Sequence, residues 1–254
     1  MSVEEFIQTT LRQAATYIKK HYPPTTIETK SPRELVTEVD RDVERLIRKN
    51  IQETYPEHGI RGEELADHQP EAEYQWIIDP VDGTTNYAHN IPVFCSAIAL
   101  LQKNHVIAAG VINPVTGDLW QANQEKATKN ARPIKTPQQA LKQGLVGYCH
   151  ANDQEGIQTI SRTYQELKEH TRDYRRLGSA NLELCMVASG ELAGFIGYRI
   201  QPWDFLPGCL IAAQAGAIVT GWDDEEWQNP KTRSVLVATK ENHAQIKKLI
   251  QANT

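Results

Sequence analysis

The chain has 254 residues, with 27 Lys and Arg against 32 Asp and Glu and a formal net charge of −5. Hydrophobic residues make up 40% of it, enough for a packed core, which excludes a disordered or collagen-like chain. The mild acidity argues against a protein that grips nucleic acid through its phosphates, and an anionic substrate would need a bound divalent cation to draw it in.

Ile7, Leu11, Ala14, Ala15 and Ile18 recur at helical spacing, so the sequence predicts an amphipathic helix over 2–21, ended by Pro23 and Pro24. A second helix is expected over 37–54, with Val39, Val43, Leu46, Ile47 and Ile51 as its stripe and Thr37 and Asp40 at its start. Tyr74 to Ile78 reads as a buried strand. Val93 to Leu101 and Val106 to Ile112 suggest a hairpin, and residues 118–122 a further strand. In the second half, Leu145 to Tyr148 is strand-like and 153–169 helical. Asn181 to Ala188 and Phe205 to Ala215 read as helices, each followed by a strand (192–198 and 217–219). Residues 234–238 form a last strand and 241–251 a closing helix. Strands and helices mix without strict alternation, which favours an α+β layered fold over a barrel. The length suits one domain, 1–254, of two packed halves, about 1–140 and 141–254. The boundary falls where Pro133, Pro137 and Gly144 cluster.

No apolar run approaches the roughly 20 residues a bilayer requires, and the acidic start lacks the order of an export signal. The expected setting is the cytoplasm. Cys95, Cys149, Cys185 and Cys209 form no C-x-x-C pair and read as small buried thiols rather than a zinc or redox site.

The chemistry is concentrated in Trp76-Ile77-Ile78-Asp79-Pro80-Val81-Asp82-Gly83-Thr84-Thr85-Asn86. An apolar strand delivers two carboxylates three residues apart, and carboxylates are natural ligands for Mg²⁺, a hard cation. Pro80 helps end the strand, so Asp79, Asp82 and the Val81 carbonyl can turn to a common point. Gly83 lets the backbone approach a ligand, and the N–H groups that follow could cradle a phosphate. The plainer alternative is an Asp-rich turn capping a helix. Gly62-Glu63-Glu64 precedes the strand. Asp204 follows Trp203 at a helix start, where a simple cap would serve equally, and Asp40 could likewise be only a first-turn acid. Several carboxylates meeting without metal would repel one another, and bound Mg²⁺ would relieve that.

Gly62-Glu63-Glu64, Trp76 to Asn86, Leu35 to Asp40, Gly178-Ser179-Ala180 and Trp203-Asp204 together resemble the inositol monophosphatase family, in order and separation and over nearly the whole chain. The resemblance implies a layered α-β-α-β-α sandwich, Mg²⁺-dependent hydrolysis of phosphate monoesters, and a homodimer. It assigns Glu63, Asp79 and the Val81 carbonyl to one metal, Asp79, Asp82 and Asp204 to a second, and a third ion beside Glu63. Catalytic roles fall to Glu63, Thr84 and Asp40, the last two as a hydroxyl–carboxylate pair orienting water. Val81, Asp82, Gly83, Thr84 and Asp204 would meet the substrate on its phosphate side, with the N–H groups of Gly83 and Thr84 as the phosphate seat. Gly178, Ser179 and Ala180 would meet the rest of the substrate. Lys30 matches a basic residue near the site.

The chain departs from the pattern on the leaving-group side. Where the family's inositol phosphatases place a glutamate seven residues before the W-D aspartate, this chain has Gly197, and a carboxylate restored there is expected to favour inositol monophosphate. Arg199 reads either as a surface or structural cation or as a contact for a second phosphate or carboxylate on the substrate. Myo-inositol monophosphate is the default substrate, with fructose 1,6-bisphosphate and the 2′-phosphate of NADP as alternatives. A non-catalytic role with the transcription machinery is the alternative from another class. The retained acids favour catalysis.

Overall fold

The computed structural model describes residues 1–24, 26–31, 34–228 and 231–251, and the side chains of Lys30, Ser31 and Glu34 lie outside that description. The expected placement of Lys30 near the site therefore falls outside the described residues.

Helix α1 (Val3–Lys20) starts on a capping box: Ser2 Oγ accepts from the Glu5 N–H at 3.2 Å, and Glu5 accepts from the Ser2 N–H at 2.8 Å. Strands β1 (Ile27–Ser31) and β2 (Glu34–Thr37) pair as an antiparallel ribbon leading into α2 (Glu38–Thr54). Then come β3 (Gly59–Gly62), β4 (Tyr74–Asp82), the one-turn helix α3 (Thr84–Ala88), β5 (Cys95–Gln102), β6 (His105–Ile112), β7 (Leu119–Asn123), β8 (Ala127–Lys129) and β9 (Arg132–Pro133). The predicted hairpin is β5–β6, with Lys103 and Asn104 at positive φ in its two-residue turn. The rest of the chain supplies β10 (Leu145–His150), α4 (Gln154–His170), β11 (Asp173–Arg175), α5 (Ala180–Ser189), β12 (Gly194–Tyr198), α6 (Pro202–Gln214), β13 (Ile218–Gly221), β14 (Val235–Ala238) and α7 (Lys240–Gln251).

Strands β3 to β9 form a seven-stranded sheet in chain order; the other large sheet has five strands in the order β11-β10-β12-β14-β13. Both are mixed, with β3–β4 parallel in one and β10 parallel to β11 and β12 in the other. Three apolar clusters define the layers. Phe6, Ile7, Leu11 and Ile18 of α1 and Val43, Ile47 and Ile51 of α2 cover the outer face of the seven-stranded sheet. Its inner face packs on α5 and α6, which fill the space between the sheets through Leu184, Phe205, Leu210 and Ile211. Ile160 and Leu167 of α4 and Ile246 and Ile250 of α7 cover the far side of the five-stranded sheet. The result is the α-β-α-β-α sandwich. No helix among the described residues is long and apolar enough to cross a membrane.

Candidate functional site

On a regular strand, residues three apart face opposite sides. The β4–β5 register shifts between the two acids: Asp79 pairs with Ala97 and Asp82 with Cys95, three residues against two. This bulge at Pro80–Val81 turns both carboxylates towards α5 and α6. Beyond it, Gly83 has φ +98°, and an added Cβ would lie 3.0 Å from the Gly178 carbonyl and 3.1 Å from that of Val93. Only glycine suits a turn so placed.

Glu63, Asp79, Val81, Asp82, Gly83, Thr84 and Asp204 line one cleft of about 720 Å³, together with Gly178, Ala180 and Arg199. Asp79 is 1% exposed, and its Oδ1 has no hydrogen-bond partner. Burial pushes its carboxyl well above the usual range, and the charges of Glu63, Asp82, Asp204 and Asp40 push the same way. Burial pushes Asp82 up to about 6, against the bonds it accepts: Oδ1 from the Ala180 N–H at 3.0 Å and Oδ2 from the Asn181 N–H at 2.6 Å. Asp204 sits in the first turn of α6, where Oδ2 accepts from the Gln201 N–H at 2.8 Å. The acids are strung around Asp79 rather than focused on one point. Among the described residues no three Asp, Glu, His or Cys side chains converge on a single ion-sized position.

Asp40 is fully buried behind Thr84 and does not itself line the cleft. The Thr84 hydroxyl lies 2.9 Å from Asp40 Oδ1 and 3.0 Å from the Val81 carbonyl. It has one proton to give, so donation to Asp40 leaves the Val81 carbonyl free. Asp40 Oδ2 accepts from the N–H of Thr37 at 2.9 Å and from its hydroxyl. One carboxylate thus caps α2 and holds Thr84. Burial raises its pKa, offset by these bonds.

Two groups that the sequence did not single out, Glu44 and Glu183, together with Asn86 of the motif, hold the site together. Glu44, fully buried on α2, accepts from the N–H groups of Glu64 at 2.8 Å and Leu65 at 3.2 Å, and from Arg48 Nε at 2.7 Å. It therefore grips the loop that carries Glu63. A Cβ on Gly62 would lie 2.2 Å from Glu44 Oε1, so the close approach needs glycine there. Glu183, also fully buried, accepts from the N–H groups of Leu177 and Gly178 at 3.1 and 3.2 Å and fixes the cleft wall at Gly178. Asn86 donates to the carbonyls of Val93 at 2.7 Å and Leu177 at 2.6 Å, tying the turn after β4 to that same wall.

Three expectations change. Ser179 is buried against Cys95, with Oγ 3.5 Å from Sγ, and is not part of the cleft wall that Gly178 and Ala180 form. It occupies the N-cap position of α5 without a side-chain cap bond, its hydroxyl lying against Cys95 instead. Arg199 does line the cleft, but its guanidinium is paired with Asp153 and Glu155 at the start of α4. Arg176, which donates to Asn152 at 3.2 Å, is a second cation on the cleft lining. Gly197 is not on the cleft wall. A Cβ there would lie 2.6 Å from Ile200 Cδ1 and 3.0 Å from Val235 Cγ2, so Ile200 already occupies the space a longer residue would need. Of the cysteines, three are buried and Cys149 lines the cleft, and burial pushes all four thiols well above their usual range.

The chain is 35% identical over 231 residues to a protein of Neisseria meningitidis serogroup B named putative Nus factor SuhB, covering 89% of this chain and 88% of that one. It is 38% identical over 196 residues to an inositol-1-monophosphatase of Synechocystis, covering 75% and 68%. The fold superposes on a Thermotoga maritima IMPase with a TM-score of 0.91 at 26% identity, covering 99% of this chain and 98% of that one. The sequence profile of the inositol monophosphatase family matches residues 2–254, and the chain belongs to that family.

Proposed function

We propose that the chain hydrolyses a phosphate monoester with Mg²⁺, and that myo-inositol monophosphate is its default substrate. The observation that carries this is Asp79: a buried carboxylate with an unpartnered oxygen, raised by burial and by Glu63, Asp82 and Asp204 around it. Such an arrangement is costly without a cation. The donors are all oxygen, namely the carboxylates of Glu63, Asp79, Asp82 and Asp204 and the Val81 carbonyl, and that set suits Mg²⁺. Following the family, these residues would hold two or three ions. Bound Mg²⁺ would neutralise charge on the phosphate and lower the pKa of water.

The chain's own residues do the positioning. Thr84, held by Asp40, orients the attacking water through its hydroxyl. The N–H groups of Gly83 and Thr84 receive phosphate oxygens where the bulge brings the backbone to the cleft. Gly178 and Ala180 face the leaving group, and Arg199 and Arg176 stand at the same wall. Phosphoryl transfer needs little covalent work from the protein, which agrees with thiols kept protonated by burial.

Arg176 on the cleft wall supports a second substrate reading, a substrate with a further anionic group such as fructose 1,6-bisphosphate or the 2′-phosphate of NADP. The name of the Neisseria relative suggests a partner of the transcription machinery as the reading from another class. A pure scaffold has no use for the buried acids, so catalysis is favoured. Phosphate release from these esters, with and without Mg²⁺, tests the proposal. No release from any of them at saturating Mg²⁺ would overturn it.

A further inference from the structure

Helix α6 carries Asp204 and has a proline inside it, Pro207. Proline has no N–H, so the Trp203 carbonyl, four residues earlier, loses its helical partner. The Asn181 side chain takes the vacant place: Nδ2 donates to the Trp203 carbonyl at 2.8 Å, and Oδ1 accepts from the Gly208 N–H at 3.1 Å. One amide thus spans the interrupted turn on both sides, and only this orientation of the amide satisfies both partners. Asn181 is fully buried, so its amide has no water to fall back on. Gly208 makes the contact possible: a Cβ there would lie 2.6 Å from Leu184 Cβ on α5. The backbone N–H of the same Asn181 donates to Asp82 at 2.6 Å.

We infer that Asn181 is a positioning residue, paired with Pro207, that fixes Asp204 relative to Asp82. It grips one acid directly through its backbone. It sets the other by completing the first turns of α6, where Trp203 immediately precedes Asp204. The Pro207 ring excludes the ordinary helical bond, and the Asn181 amide replaces it. The inference rests on the proposed role of Asp204 and Asp82 as Mg²⁺ ligands.

A substitution cycle separates this from a merely structural role. Asn181→Ala keeps the backbone bond to Asp82 but frees the Trp203 carbonyl. Its expected effects are a rise of at least about fivefold in the Mg²⁺ concentration for half-maximal activity and a weaker Mg²⁺ affinity by calorimetry, with KM for substrate within about twofold. Pro207→Ala returns an N–H to the turn. The double variant Asn181→Ala/Pro207→Ala is therefore expected to recover Mg²⁺ affinity to within about twofold of wild type, and to fold even where the single variant does not. A folded Asn181→Ala with unchanged Mg²⁺ affinity would overturn the inference. So would a double variant as damaged as Asn181→Ala, loss of folding included. Asp204→Asn is the control on the ligand assignment. If it leaves Mg²⁺ affinity unchanged, the ligand reading of Asp204 fails and this inference with it. If it weakens Mg²⁺ while the cycle shows no rescue, the inference about Asn181 and Pro207 fails and the ligand reading of Asp204 stands.

Discussion

The Asn181 backbone N–H donates to Asp82 at 2.6 Å, and this bond joins the end of β4 in one sheet to the start of α5 beneath the other. With the neighbouring bond from Ala180 it places a carboxylate on a helix N-terminus, where partial positive charge favours it. The cleft is assembled across that seam.

Asp79→Asn should cut kcat/KM by about 10³-fold or more, a loss of roughly 4 kcal/mol of transition-state stabilisation. The same change removes a buried, repelled charge, so the metal-free variant should unfold at a temperature equal to or above that of wild type. Steady-state kinetics at saturating Mg²⁺ and thermal unfolding in EDTA check both halves.

Thr84→Ala and Asp40→Asn should each lower kcat by about 10²–10⁴-fold, with a smaller effect on Mg²⁺ affinity. Because Asp40 acts through Thr84, the double variant should be about as slow as the worse single one. Multiplying losses would count against the pair.

The pH dependence of stability has a defined sign. Unfolded carboxyls titrate near 4, whereas the folded state holds Asp82 up at about 6 and raises Asp79 as well. The folded chain therefore binds more protons, so these groups lower metal-free stability as pH rises from about 4 through 6. Mg²⁺ should raise the unfolding temperature strongly at pH 7.5 and little at pH 4.5. Scanning calorimetry of wild type and Asp79→Asn, with and without Mg²⁺, measures this, and an equal Mg²⁺ effect at both pH values would contradict it.

Breaking the buried Glu44–Arg48 pair from one side, as in Arg48→Met, should cost about 3–5 kcal/mol. Replacing both by Met should recover part of that stability, less the cost of the two N–H groups Glu44 no longer accepts. The Mg²⁺ requirement should still rise, because Met cannot accept the N–H groups of Glu64 and Leu65. Denaturant unfolding and Mg²⁺ titration of activity read the two effects apart.

Gly197→Glu should lower the unfolding temperature without raising preference for inositol monophosphate. Ile200 stands 2.6 Å from where the new Cβ would lie, and the environment is apolar. The sequence comparison alone suggested a gain of sugar contact, because it aligns positions but not the side chains that have filled a vacated space.

The long elements and the acids were legible because their signals are local. Helix α1 announces itself through Ser2, Glu5 and its apolar stripe. The hairpin β5–β6 shows in two apolar runs, although β6 opens at His105, one residue before the apolar run. The ribbon β1–β2 was not legible, because Ile27–Ser31 has little apolar pattern and gains its partner only by pairing. Short β3 and β11 are likewise defined by neighbouring strands. The acids Glu63, Asp79, Asp82 and Asp204 could be found by residue type and motif. The groups that aim them could not. Glu44 meets Glu64 across 20 positions, and Asn181 meets Asp82 across 99. Such contacts depend on which helices the fold sets side by side. The bulge at Pro80–Val81 lay between the two: Pro80 marked a disturbed strand, but the face that each Asp takes follows only from the pairing with β5.

Phosphate release from myo-inositol monophosphate decides whether the buried acids work by holding Mg²⁺. The metal-stripped protein is assayed before and after Mg²⁺ is restored, alongside Asp79→Asn. No release is expected without Mg²⁺, turnover when Mg²⁺ is added to wild type, and about 10³-fold less from the variant under the same conditions. Release that is unchanged by removing Mg²⁺, or an Asp79→Asn variant that turns over at the wild-type rate, would contradict that role for the acids.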